Sequence, residues 1–307
     1  MLHAHKVYCN ACNSYYTHAL LEELERRGYY SDLKDLIETM YRDNGNDEVT
    51  IVAHSMGGPI ILHFLTSGIV TQAWKDTYIG NFITLSGAWS GGNEAIEAQI
   101  SGLSVINERS DDLFKLFRFI GDWVRKSFKS VIHSFQSTIW LLPRPSVWGS
   151  TILVTTPTQN YTANDYQQLF SDIDYSDGYN MFQGIEGINE GWPVPNVTTH
   201  CFYGVGVDTP LSFHYEEPFP AGASNDPEVI MGDGDGVVNT PSSEVCLQWA
   251  DNSHAFNHIA FNGVDHMQIV KSEVVLRNIG NIVGALRDPT PTPPPEEKKS
   301  WWEILFG

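Results

Sequence analysis

A chain of 307 residues, 42% hydrophobic and 12% aromatic, is long and apolar enough for one large domain or two modest ones with a sizeable core, which excludes an intrinsically disordered protein. Its 37 acidic residues against 18 basic ones leave a formal charge of −19. Such a surface repels phosphate backbones and excludes nucleic acid as a partner, and no run approaches the ~20 apolar residues that span a bilayer.

The first residues, "MLHAHKVYCNACNSYY", lack the basic start and apolar h-region of a secretory signal. Cys9 and Cys12 have the spacing of a zinc or redox pair, but no second pair or flanking histidine cluster completes a site, so they read as incidental. "THALLEELERRGY" (Thr17 to Tyr29) and "SDLKDLIETMYRDNG" (Ser31 to Gly45) predict amphipathic helices. In the second, Leu33, Leu36, Ile37 and Met40 recur at helical spacing, Ser31 or Asp32 is positioned to cap the start, and Gly45 ends it. "EVTIVAH" predicts a short, fully apolar strand of the kind buried in a parallel sheet. A helix begins inside "MGGPIILHFLTSG", and "YIGNFITLSGAW" is the next strand. Helix, strand, helix, strand in this order defines an α/β fold with a mainly parallel sheet.

From Gly91 to about Asn180 the alternation stops, and the segment is expected to be an excursion above the sheet. Within it, "DDLFKLFRFIGDWVRKSFKS" (Asp111 to Ser130) carries an apolar stripe beside a local cluster of Lys and Arg. It reads as a helix packed on the core or as an interfacial lid helix meeting an anionic lipid surface. The α/β pattern resumes with "VTTHCFYGVGV" (Val197 to Val207) as a strand, then the acidic loop "MGDGDGVVN", the strand "HIAFNGVDH" and the helix "SEVVLRNIGNIVGALR". "DPTPTPPPEE" is an extended linker, and the final "WWEILFG" either docks on the body or touches a membrane. The expected divisions are residues 1–90 and 196–287 for the two parts of the core, 91–195 for an inserted cap or lid, and 288–307 for the proline-rich tail. Asn160-Tyr-Thr and Asn196-Val-Thr are glycosylation acceptor triplets that point to an exported chain.

Chemistry concentrates at Ala53-His-Ser-Met-Gly57, a variant nucleophile elbow with alanine in the first glycine position. Small residues two before and two after Ser55 allow a strand to turn steeply into a helix, lifting the hydroxyl above the strand ends. The helix N-terminus then faces developing negative charge, and the Met56 N–H is the expected oxyanion donor. A serine hydroxyl needs an imidazole to take its proton, and eleven histidines compete. The chain order of such folds is serine, acid, histidine, with both partners on loops after later strands. His266, between the last strand and the last helix, fits that order. His54 adjoins the serine but is expected to point away from it. His254 and His258 precede the strand and fall at its wrong end, and His63 reads as a solvated or packed residue. For the orienting acid, Asp233, Asp235 and Asp265 are available, and Asp235, before a tight Gly-Val-Val turn, is the best placed. A calcium loop is disfavoured because Val237 stands where a third oxygen ligand belongs and no glutamate follows. No metal or other cofactor is expected.

Taken in order, "VAHSMGG", "QAWKDTYI", "WLLP", "TPTQNYT", "HCFYGVGVDTP", "GDGDGVVN" and "DHMQIV" resemble the lecithin:cholesterol acyltransferase family, and most closely its lysosomal phospholipase A / ceramide transacylase branch. The resemblance extends from about Thr17 to Leu286. It implies an α/β-hydrolase fold with an inserted lid, a serine acyl-ester hydrolase or O-acyltransferase acting on phospholipids, and nucleophile, acid and base at Ser55, Asp235 and His266. Water or a lipid alcohol would accept the acyl group at a membrane or lipoprotein surface, in a lysosomal or extracellular setting. The resemblance also implies a disulfide between Cys201 and Cys246, in keeping with an oxidising compartment. The family's earlier strand, whose loop gives a second oxyanion donor, and its N-terminal membrane-binding region with a first disulfide are not recognisable. Cys9 and Cys12 are too close to replace that disulfide without strain. Losing one oxyanion donor costs about a hundred- to a thousandfold in rate, and lost strands expose a sheet edge. An N-terminally truncated isoform or an incomplete gene model is therefore expected, and the alternative to an active enzyme is a catalytically impaired lipid- or partner-binding paralogue.

Overall fold

The computed structural model describes residues 27–102, 129–251 and 254–284. Cys9 and Cys12, nearly all of the expected helix from Thr17, the basic stripe up to Phe128, and the proline-rich and aromatic tail lie outside them. In chain order the elements used below are α1 (Tyr29–Asp43), β1 (Val49–His54), α2 (Gly57–Thr66), α3 (Gln72–Tyr78), β2 (Ile79–Leu85), α4 (Glu94–Ser101), β3 (Val154–Thr155) and β4 (Asn160–Tyr161). They continue with α5 (Tyr166–Asp172), α6 (Ser176–Ile185), β5 (Thr199–Val205), β6 (Val207–His214), β7 (Glu228–Gly234), β8 (Phe256–Asn262) and α7 (Glu273–Ile282).

Helix α1 begins ahead of the expected Ser31, with Gly28 as its N-cap at φ 81°, a left-handed conformation that glycine takes without strain. Tyr30 draws that turn inward: it is buried, with its ring 5.7 Å from Phe64 and 6.0 Å from His63. Four strands form a parallel sheet in the order β1-β2-β5-β8. Its core joins Phe82 and Ile83 of β2 and Phe202 of β5, all essentially inaccessible, while Leu62, Phe64 and Leu65 of α2 are buried beside it. Strand β1 departs from expectation. Among the described residues it pairs with β2 alone, and Val52 is 48% exposed although Val49 and Ala53 are buried. An apolar run records which residues a strand has, not how many neighbours it has, so it reads the same at an edge as at a centre.

The segment after Ser90 does more than arch over this sheet. Its β3 and β4 join β6 and β7 in a second four-stranded sheet, order β4-β3-β6-β7. The expected single strand from Val197 to Val207 breaks at Gly206, φ 76°, where a Cβ would come within 2.3 Å of the Asn262 side chain. The chain leaves the parallel sheet there and forms the antiparallel pair β6–β7, so Met231–Gly234, expected in a loop, are strand residues. A disulfide links Cys201 on β5 to Cys246 in the short 3₁₀ helix Glu244–Trp249. Both acceptor asparagines, Asn160 and Asn196, are exposed.

The chain divides into two compact units, Met1–Val270 and Lys271–Gly307. The second unit holds α7, which carries an Arg277–Glu273 ion pair one turn apart at 2.6 Å. Everything described below belongs to the first.

Candidate active site

Ser55 sits between β1 and α2 with φ 56°, a conformation that costs a non-glycine residue about 1–3 kcal/mol unless its surroundings impose it. They do: the Ser55 N–H donates to the Leu85 carbonyl across the sheet at 2.9 Å, and the Ser55 carbonyl accepts from the Gly58 N–H at 3.0 Å. The elbow's steric demand falls one residue later than its pattern indicates. A Cβ on Gly57 would meet Ala53 at an ordinary 3.8 Å, whereas one on Gly58 would press to 3.1 Å against the Trp89 ring. Met56 is the N-cap of α2, so its N–H is among the helix-start donors that have no intrahelical acceptor.

His266 lies on the loop after β8. Its Nε2 is 2.9 Å from Ser55 Oγ and its Nδ1 is 2.8 Å from Asp235 Oδ2. Since a carboxylate only accepts, Nδ1 carries the proton and Nε2 is left to accept from the serine hydroxyl. Asp235 is fully buried, and its other oxygen accepts from the N–H groups of Val237 at 3.0 Å and Val238 at 2.7 Å. The two loops are also tied by backbone, the His266 N–H donating to the Asp235 carbonyl at 2.8 Å. Their convergence depends on Gly204 near the end of β5, where a Cβ would lie 2.0 Å from the Val264 carbonyl oxygen and 2.9 Å from Asp235 Cβ. Gly204→Ala is therefore expected to cost about 1–3 kcal/mol or more through overpacking, read as a lower midpoint in urea unfolding. It should also separate the acid and base loops.

The other acids serve as ties. Asp233 accepts from the Gly206 N–H at 2.7 Å and the Thr240 hydroxyl at 2.5 Å, and Asp265 accepts from the N–H groups of Met267 and Gln268. His63 packs against Tyr30. His258 lies within β8, not before it, in register with Cys201. His54, expected to point away from Ser55, turns to the base instead. Its Nε2 donates to the His266 carbonyl at 2.8 Å, and the two rings lie 4.7 Å apart between centroids. Burial above all, and then the neighbouring His266, hold its pKa below the usual histidine value. No spacing rule would have found this contact, which joins residues brought together only by the fold.

Beside Met56 a crevice is lined by Pro59, Trp89, Trp140, Arg144 and Trp192. Arg144 is buried, which lowers its guanidinium to about 10. Its Nη1 donates to the Ile185 carbonyl at 3.2 Å, at the C-terminal end of α6, where a cation is favoured.

A serine raised on a strand-to-helix turn and bonded to a buried His–Asp pair, over a mainly parallel sheet with helices, defines the α/β-hydrolase class. A chain in the crystal structure of the Tle4-Tli4 complex shares the fold, with a TM-score of 0.53 at 11% identity over 88% of this chain and 67% of that one. Residues 19–277 match the family described as lecithin:cholesterol acyltransferase, and the chain belongs to that family. It is 36% identical over 261 residues to lysosomal phospholipase A and acyltransferase of Canis lupus familiaris, covering 84% of this chain and 59% of the relative. It is 34% identical over 255 residues to phosphatidylcholine-sterol acyltransferase of Gallus gallus, covering 82% and 57%. The chain thus spans less than two thirds of the length of these relatives.

Proposed function

We propose that this protein is a serine acyl-ester hydrolase or O-acyltransferase acting on phospholipids, with Ser55 as nucleophile, His266 as general base and Asp235 as the acid that orients it. The observation that carries the reading is the unbroken chain from Ser55 Oγ to His266 Nε2 at 2.9 Å and from His266 Nδ1 to Asp235 Oδ2 at 2.8 Å. Attack of Oγ on the ester carbonyl passes the hydroxyl proton to Nε2. The Met56 N–H stands where negative charge gathers on the carbonyl oxygen. Collapse of that intermediate breaks the ester C–O bond, and the imidazolium returns its proton to the departing lysolipid alkoxide. The acyl-serine is then opened by water or a lipid alcohol, whose proton is taken by His266 and given back to Oγ. Relatives named as a phospholipase A and acyltransferase and as a phosphatidylcholine-sterol acyltransferase support both the phospholipid and the choice of acceptor. A membrane or lipoprotein surface as the place of action and a lysosomal or extracellular location belong to the same proposal.

Incubation with a mixed-chain phospholipid and a lipophilic alcohol, read by mass spectrometry, should give lysolipid together with free fatty acid or the alcohol's ester. A fluorophosphonate should attach to Ser55 in the parent chain and not in Ser55→Ala. Folded protein that neither labels nor turns over would reject the reading.

A further inference from the structure

Strands β1 and β8 are the outer members of the parallel sheet among the described residues, three spacings apart, or about 14 Å. Ser55 follows one and His266 follows the other. The loop carrying the base must therefore run back across β5 and β2, and its position over the serine is not set by strand pairing. What meets it there is His54. A carbonyl only accepts, so the 2.8 Å contact with the His266 carbonyl requires a proton on His54 Nε2. The two imidazoles lie 4.7 Å apart with a 43° tilt, so His54 supports the neighbouring ring as well as the backbone. With the His266 N–H donating to Asp235, the base is gripped at both ends of its own backbone unit, by the acid on one side and by the nucleophile's chain neighbour on the other.

We infer that His54 is a positioning residue that registers the His266 imidazole on Ser55 by holding the His266 carbonyl. The inference rests on the reading of Ser55 and His266 as nucleophile and base. The His266 ring nitrogens bond Asp235 and Ser55, so His54 acts on the base through its carbonyl and ring face. Because its hydrogen bond leaves the residue immediately before Ser55, any movement of the elbow carries the base with it. A tether through strand ends would let the two drift independently, and a misplacement of about 1 Å in such a pair costs about a hundredfold in rate.

Two variants separate the bond from the packing. His54→Phe keeps a ring against His266 and removes the donor; His54→Gln keeps a donor and removes the ring. The measurement is the time course of fluorophosphonate labelling, with the final labelled fraction recorded beside the rate constant, and the thermal midpoint measured in parallel. The expected result is a saturating labelling rate about ten- to a hundredfold lower in His54→Phe, an unchanged half-saturation concentration, full final stoichiometry, and recovery to within a few-fold of the parent in His54→Gln. Parent-like rates in His54→Phe would overturn the inference. So would a reduced labelled fraction reacting at the parent rate, which marks a purely structural role. A second readout does not need turnover: the downfield proton resonance of His266 Nδ1–H, expected to be sharp in the parent and His54→Gln and broadened or lost in His54→Phe. If the parent chain itself never labels, the proposed activity fails, while this resonance still decides whether His54 positions His266. An unaltered resonance in His54→Phe would end the inference.

Discussion

The His266→Ala variant is expected to react with a fluorophosphonate, and to release fatty acid from a phospholipid, about 10⁴- to 10⁶-fold more slowly than the parent chain, the range in which loss of one member of a concerted Ser-His-Asp unit falls. The Ser55 hydroxyl is then left without the acceptor now 2.9 Å away, and an unassisted hydroxyl is a poor nucleophile at neutral pH. On the proposed mechanism, what survives would come from the Met56 N–H and from substrate held in place. In fatty-acid release, Ser55→Ala and the double variant should be no slower than His266→Ala by more than a small factor, because residues acting as a unit do not add, whereas neither can be labelled by the fluorophosphonate. Stopped-time product analysis under saturating lipid checks this. A loss below about a hundredfold in His266→Ala, with the fold intact by circular dichroism, would mean that the base lies elsewhere.

Asp235→Asn is the second large effect, expected at about 10⁴-fold, with nearly the same volume and little change in shape. The direction follows from the hydrogen bonds. The oxygen that faces the Val237 and Val238 N–H groups must stay an acceptor, so the new NH₂ group is turned toward His266. An imidazole meeting a donor at Nδ1 adopts the opposite tautomer, with its proton on Nε2 pointing at Ser55. Such a histidine cannot accept the serine proton. On the proposed mechanism, the same change also removes the buried carboxylate that would stabilise the imidazolium formed during attack. The fall should appear in kcat, with KM for the lipid changed by only a few-fold. A variant that keeps kcat and loses only lipid affinity would contradict the assigned role.

Much of the architecture was written in local patterns. The helical spacing of Leu33, Leu36, Ile37 and Met40 and the apolar runs of β1 and β2 located these elements by their period, although of the four helix residues only Ile37 is buried, while Leu36 and Met40 are exposed. Ser55 stood out because Ala53 and Gly57, two before and two after it, are the small residues of the strand-to-helix turn pattern. His266 and Asp235 followed from chain order and from the loops they occupy. Other features were illegible for physical reasons. That β1 pairs with β2 alone among the described residues depends on pairing, and nothing within Val49–His54 records a neighbour, although the missing front strands had pointed to an exposed edge. The second sheet joins β3 and β4 to β6 and β7 across a long stretch of chain, and the two strands from the Gly91 segment are only two residues each, too short to show a period.

By itself, the order of residues determined the class of fold, the serine on its turn, and the acid and histidine that the chain presents downstream, because each is a consequence of local sterics, solvation or succession along the chain. Only the tertiary structure decided that Gly204 clears the space in which the Asp235 and His266 loops meet, that Gly58 rather than Gly57 carries the elbow's tightest contact, and that His54 grips the carbonyl of His266. Those contacts join segments up to 212 residues apart, and their geometry exists only when strands three spacings apart are set in one sheet and the loops above them close.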